Sequence, residues 1–173
     1  MDGGLELLTF PGRLPTHLKW QAVSFIRIVW PWHDHGTIGE PSNPALRPVH
    51  FALVAGHQLI SLATATEVEM EHAGQRFRMG GLGNVMTFPA YRGRGHGSRV
   101  VEATTRHIEA SGVDVAALFC GVQRIPFYER SGWRVVPSAP GEESARMMLF
   151  VSERGRVARP AFEAAPFHVD QGW

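Results

Sequence analysis

The stretch Gly83-Asn84-Val85-Met86-Thr87-Phe88-Pro89-Ala90-Tyr91-Arg92-Gly93-Arg94-Gly95-His96-Gly97-Ser98 decides how the chain is read. A β-prone run ends near Thr87. Glycines 93, 95 and 97 then alternate with Arg94 and His96, and a helix opens at once. Glycine tolerates positive φ and lets a ligand approach the backbone with no Cβ in the way. The first N–H groups of a helix have no intrahelical partner, and the positive end of its dipole lies there, so such a junction binds anions. The expected ligand is a phosphate held mainly by main chain. A tight strand-to-helix turn without a ligand is the plain alternative.

Two common phosphate motifs do not fit. A P-loop needs a lysine after its last glycine, and the only lysine is the distant Lys19. In a dinucleotide fingerprint counted from Gly93 the last glycine would fall on Ser98, and no acidic residue closes a second strand about 20 residues on. What fits is Arg92-x-x-Gly95-x-Gly97, which resembles the R/Q-x-x-G-x-G/A signature of the GNAT N-acetyltransferase superfamily. A second match lies downstream. Val113 to Cys120 reads as a buried strand, and Arg124-Ile125-Pro126-Phe127-Tyr128-Glu129-Arg130-Ser131-Gly132-Trp133 follows it. This is similar to the family's fifth strand, its short helix carrying Phe-Tyr, and the Gly-Trp that leads into strand six. The two motifs stand in the family's order, and the resemblance runs from about His50 to Val136.

The resemblance implies an α/β (α+β) fold: a central mixed, mostly antiparallel sheet with flanking helices and a splayed β4/β5 pair that binds acetyl-CoA. Backbone of Val85, Met86 and Thr87 would meet the pantetheine amides and the thioester. Arg92, Gly93, Arg94, Gly95, His96 and Gly97, with Ser98 just after, would wrap the pyrophosphate. Plain core packing is the other reading of Val85, and solvation that of the Arg92 and Arg94 side chains. Tyr128 matches the tyrosine that serves many members as general acid to the CoA sulfur; a core aromatic beside Phe127 is its alternative.

Composition bounds the rest. At 173 residues, 44% hydrophobic and 19% charged, the chain is long enough for a real core and is not disordered. One domain over residues 1–173 is expected. A net charge of +1 advertises neither nucleic acid nor a membrane surface. One cysteine, Cys120, excludes an internal disulfide and suits a reducing cytoplasm. No spanning segment is expected, since the apolar run from Phe25 to Trp30 is too short.

Along the chain, a loose start precedes Thr16, read as the N-cap of a helix to about Val29. A broken, Pro-rich loop continues to Pro48. Strands are expected over 50–55, 58–69 and 75–87, with a hairpin turn at His72-Ala73-Gly74, then a helix over 96–111. Strand three sets Val68 and Met70 against Glu67, Glu69 and Glu71, as a half-solvated strand does. A last strand is read over 144–152, and an irregular tail, punctuated by Pro160 and Pro166, follows.

Amide formation needs a neutral amine, a donor for the oxyanion and a proton for the departing thiolate. Candidates to take the amine's proton are Asp34, His33 and His35 in the loop after the first helix, and Glu67, Glu69 or Glu71. His33-x-His35 lacks a third ligand at a telling distance, so no metal is expected. Cys120 is read as a small buried hydrophobe rather than an acyl carrier.

The hairpin Glu71 to Gly83, the Tyr128 helix and a C-terminal tryptophan are also similar to aminoglycoside 2′-N-acetyltransferases. That resemblance places Asp34, Gly83, Asn84 and Trp173 at the acceptor, although a glutamate those enzymes carry before the cofactor strand is Gly83 here. Asp34, Glu67, Glu69, Asp170 and the terminal carboxylate would suit a polycationic sugar. The expected activity is direct acetyl transfer from acetyl-CoA to a primary amine in a ternary complex, with an aminoglycoside antibiotic as leading acceptor and antibiotic resistance as its role. A polyamine, amino acid or protein amine is the second reading, and a non-catalytic acyl-CoA sensor the third. A homodimer is compatible with the sequence.

Overall fold

A computed structural model of the chain describes residues 4–31 and 39–169. The first element is strand β1, Leu5–Pro11, where the sequence reading had only a loose start. It is an edge strand that pairs along its length with β2, Val49–Ala55, its residues half buried or exposed. Helix α1, Thr16–Val29, follows, but Pro15 holds the cap position and no side chain caps it. Thr16 is therefore the first helical residue rather than the expected N-cap. Strands β2, Val49–Ala55, β3, Gln58–His72, and β4, Gln75–Thr87, come next. Ala73 and Gly74 join β3 to β4 with φ of 49° and 73°, the paired positive angles of a type I′ hairpin.

Helix α2 spans His96–Ala110 and β5 spans Val115–Gly121. The short α3, Ile125–Glu129, leads to β6, Arg134–Val136, and β7, Ser144–Phe150. Helix α4, Glu153–Ala164, then occupies ground expected to be irregular. The seven strands lie in the order β1-β2-β3-β4-β5-β7-β6. Pairing is antiparallel for β1–β2, β2–β3, β5–β7 and β6–β7. β4 and β5 are parallel, with Met79, Gly80 and Gly81 opposite Val115, Ala116 and Ala117, and both strands continue beyond that register.

Two compact units are distinguished. The first joins the chain up to Ala65 with Asn84–Thr104. Its core packs Leu18, Ala22, Phe25 and Ile26 of α1 onto Ala52, Val54, Leu59, Leu62 and Met86 of the strands. The i, i+4, i+7, i+8 spacing on α1 puts these side chains on one face, as an amphipathic helix on a sheet requires. His50 is buried there with Nδ1 2.9 Å from Thr64 Oγ1. Burial holds its pKa below the usual range, so it stays neutral and structural.

The second unit comprises Thr66–Gly83 and the chain from Thr105. Its core gathers Phe77, Met79, Val115, Ala117, Met148, Phe162 and Phe167. Asp114 organises one end. Its carboxylate accepts from the Arg78 backbone N–H at 3.0 Å and from the Ser152 hydroxyl at 2.8 Å. Its carbonyl accepts from the N–H groups of Val151 and Ser152. Ser152 in turn caps α4 by accepting from the Gly155 N–H at 3.1 Å. A Cβ on Gly155 would sit 2.0 Å from the Asp114 carbonyl oxygen, so only glycine lets α4 approach this closely.

That contact explains why the tail is helical despite Pro160. The proline stands on the exposed side of α4, where it costs one backbone hydrogen bond. Phe162, by contrast, is completely buried. Capping at one end and a buried aromatic at the other outweigh one missing hydrogen bond.

Candidate functional site

In the first unit, β4 runs into the glycine loop through a break in its own geometry. Asn84 has φ of +51° inside the strand. Asparagine is the non-glycine residue that best tolerates this region. The side chain fixes the kink, because its amide donates to Pro41 O and Ser42 Oγ, both at 2.7 Å. Asn84, expected at the acceptor, thus spends both amide protons on the loop after α1. Gly83, half buried, directly precedes it.

Beyond the kink, Val85 and Thr87 are half buried and Met86 is buried in the core. Ser61 Oγ is 2.9 Å from Met86 O and 2.8 Å from Thr87 Oγ1. The Arg92 guanidinium donates through Nε to Thr87 O at 3.0 Å, which ties the loop back to the strand end. Arg94 is exposed and lies over the Tyr91 ring at 5.7 Å.

Gly93 and Gly95 take φ of +76° and +78°. A Cβ on either would meet nothing within 4 Å, so backbone conformation, not crowding, demands glycine here. The Arg92 N–H bonds to Pro89 O and the Arg99 N–H to Gly95 O. Among the described residues, none of the backbone N–H groups from 93 through 98 has a hydrogen-bond partner. Unpaired donors in succession, at the positive end of a 15-residue helix, suit an anion. The residues present therefore fit a diphosphate. His96 opens the helix with its side chain buried and Nδ1 unpartnered.

In the second unit, Tyr128 of α3 is buried, with its ring 4.9 Å from Phe127 and nearly perpendicular to it. Its hydroxyl has no hydrogen-bond partner among the described residues. Burial, reinforced by nearby Cys120, pushes the phenol well above the usual tyrosine range. Cys120 is buried, with Sγ 3.9 Å from Met147 Sδ, and burial raises its thiol as well. The small-hydrophobe reading of Cys120 agrees with this. On β3, Glu67 accepts from Arg78 Nε and Nη2 at 3.0 and 2.8 Å, while Glu69 and Glu71 are exposed. Asp34, His33, His35, Asp170 and Trp173 lie outside the described residues. No group of three or more metal-ligating side chains occurs among those described. No helix there is long and apolar enough to cross a membrane.

Arg146, on β7, is 5% exposed. It pairs through Nε and Nη2 with Glu142 and donates from Nη1 to Phe167 O. A lone arginine in an apolar strand carries no local signal of such partners.

The sheet is mixed with one short parallel pair, and the unpaired amides of 93–98 lie where its fourth strand turns into a helix. The sequence profile of the acetyltransferase (GNAT) domain matches residues 21–136, about two thirds of the chain. The chain belongs to the GNAT acetyltransferases, which transfer acyl groups from acyl-CoA to amines.

Solved structures agree on the fold. An acyl-CoA N-acyltransferase from Pseudomonas aeruginosa is 16% identical with a TM-score of 0.65, over 84% of this chain and 99% of that one. An aminoglycoside 6′-N-acetyltransferase in complex with coenzyme A is also 16% identical, with a TM-score of 0.64 over 86% and 98%. A probable N-acyltransferase from Enterococcus faecalis V583 is 18% identical, with a TM-score of 0.58 over 75% of this chain. The chain spans only 33% of that larger protein. Against the curated proteins the sequence gives no significant match.

Proposed function

We propose that the chain forms a single N-acetyltransferase domain that moves the acetyl group of acetyl-CoA to the primary amine of a small molecule. One observation carries this reading: the run of unpaired backbone N–H groups from Gly93 to Ser98 at the start of α2. Those donors would hold the diphosphate, and the kinked end of β4 from Val85 to Thr87 would orient the pantetheine. Holding both substrates together supplies much of the rate, so no covalent enzyme intermediate is needed.

In the transfer, the amine nitrogen bonds to the thioester carbon, the carbon–sulfur bond breaks and sulfur leaves as thiolate. Tyr128 is the group assigned to that sulfur. Its phenol stays protonated at neutral pH, and its hydroxyl has no competing partner among the described residues. A thiol with an ordinary pKa near 8.5 is a stronger acid than this phenol, so Tyr128 acts by hydrogen-bonding the developing thiolate. The amine's own proton completes the free thiol.

For the acceptor, we take an aminoglycoside-type antibiotic as the leading class. Support comes from the carboxylates of Glu69 and Glu71 on the exposed face of β3, from Asp34, Asp170 and the terminal carboxylate, and from the sequence resemblance to aminoglycoside 2′-N-acetyltransferases. Thiol release from acetyl-CoA, measured with kasugamycin, gentamicin, polyamines, amino acids and peptides, tests both levels. Turnover confined to aminoglycosides is expected. Turnover on polyamines or peptides alone overturns the acceptor class. Coenzyme A binding without any turnover overturns the transferase and leaves an acyl-CoA sensor.

A further inference from the structure

Helix α4 carries three arginines, and two of them have a carboxylate partner. Arg156 pairs with Glu153 at 3.3 Å and Arg159 with Glu163 at 2.6 Å. Arg154 pairs with no acid among the described residues; its guanidinium lies over the Phe77 ring, 5.1 Å from the centroid. That contact uses no N–H group, so the donors remain for a ligand. Three, four and seven residues on from Arg154 stand Val157, Ala158 and Ala161, an apolar stripe headed by a cation. Val157 is 72% exposed, more than any other large hydrophobic residue described.

Opposite this stripe the β3–β4 hairpin brings His72, Ala73 and Phe77, and the two surfaces bound a cavity of about 410 Å³. Clefts of that size hold small molecules. Alanines at 73, 158 and 161 leave the space. A fixed contact holds the hairpin end against the helix: His72 Nε2 donates to Ala161 O at 3.0 Å, and its ring stacks on Phe162 at 4.3 Å. The cavity lies wholly within the second unit, and none of Val85 to Thr87, Gly93 to Ser98 or Tyr128 lines it.

Its charges say what it takes. Glu153 also stands at the rim, but Arg156 engages it, and residues one apart on a helix do not face each other. One uncommitted guanidinium is thus set beside apolar walls. Its planar fork matches a carboxylate with two parallel hydrogen bonds. A phosphate dianion would bring more charge than one arginine offsets, with Glu153 close by.

We propose that the cavity between α4 and the β3–β4 hairpin binds a small carboxylate with an apolar body, its charge on Arg154 and its body against Phe77, Val157 and Ala161.

The test follows backbone resonances of the full chain by NMR as hexanoate, phenylacetate, hexanol or inorganic phosphate is added. Hexanoate and phenylacetate should each shift Phe77, Val157 and Ala161 saturably, with Kd at or below about 1 mM, a value within reach of so few heavy atoms. Hexanol has the same body without the charge and should bind at least about tenfold more weakly, as loss of a charge-assisted fork implies. Phosphate should leave these resonances in place. Arg154 is exposed, so Arg154→Gln leaves the core intact, and it should erase the preference for hexanoate over hexanol. Arg159→Gln removes the same charge from α4 outside the cavity lining and should keep that preference.

No saturable shift with either carboxylate, shifts confined to other residues, or hexanol binding as tightly as hexanoate overturns the proposal. So does a preference that survives Arg154→Gln. An equal loss in Arg159→Gln would reduce the effect to the overall charge of the helix, and binding of phosphate at the same residues would make this a general anion site. Either result contradicts the assignment.

Discussion

The glycine loop before α2 and the α4 segment after β7 hold their shapes by opposite means. The loop is specified by backbone: Gly93 and Gly95 sit at positive φ with open space beside them, and the N–H groups of 93 to 98 have no partner among the described residues. The α4 segment is specified by side chains and crowding: Ser152 caps it, Gly155 is pressed on the Asp114 carbonyl, and Phe162 and Phe167 are buried. Unpaired main-chain donors leave the first free to meet a ligand, whereas capping, close approach and burial fix the second.

The sharpest way to break that contrast is to load the loop with charge. Gly95→Asp puts a carboxylate where diphosphate is expected, and aspartate tolerates positive φ better than most residues. Coenzyme A binding should disappear by calorimetry while far-ultraviolet circular dichroism stays unchanged. Undiminished affinity would remove the loop from the cofactor site.

Tyr128→Phe comes next. It should lower kcat by roughly 10²–10⁴-fold, the usual span for a lost general acid or equivalent donor. The pH profile adds a check. Because burial raises the phenol above its ordinary value near 10, the tyrosine keeps its proton through that pH, and rates should not decline below it on this account. The same shift favours the folded, protonated form, so its contribution is intact below pH 10 and fades above it. A wild-type rate in Tyr128→Phe would eliminate the role.

On the crowded side, Gly155→Ala should cost about 1–3 kcal/mol, as overpacking does. Thermal or urea unfolding measures it, and a neutral substitution would mean that α4 does not press on Asp114. Deleting residues 170–173 should raise KM for the amine several-fold and spare acetyl-CoA, while equal rises would make the tail structural. The smallest effect is expected at the β4 kink. Asn84→Ala should cost about 1 kcal/mol for a left-handed residue without asparagine's tolerance. Asn84→Gly keeps the backbone and should lose less.

The same contrast explains what was legible in the sequence. The Arg92-to-Gly97 loop, β4 over 75–87 and the start of α2 at His96 could be read because their determinants are local: glycines at fixed spacing and an apolar run of strand composition. β1 and α4 could not. β1 draws its order from β2 across the ladder, and α4 draws its order from Asp114 and a distant core. Pro160 argued for a broken tail because propensity sees a lost hydrogen bond but not the burial of Phe162. The site divides in the same way. The glycine loop was visible as a motif, whereas the Asn84 tether to Pro41 and Ser42, and the Arg146 contact with Phe167, join residues far apart in sequence.

The most direct test of the central claim compares coenzyme A with pantetheine, which lacks the diphosphate, by calorimetry on the unmodified protein. If the glycine loop holds the diphosphate, coenzyme A should bind at least about a hundredfold more tightly, a difference of about 2.7 kcal/mol. Equal affinities would contradict the account, because the unpaired amides from Gly93 to Ser98 would then contribute nothing to cofactor binding.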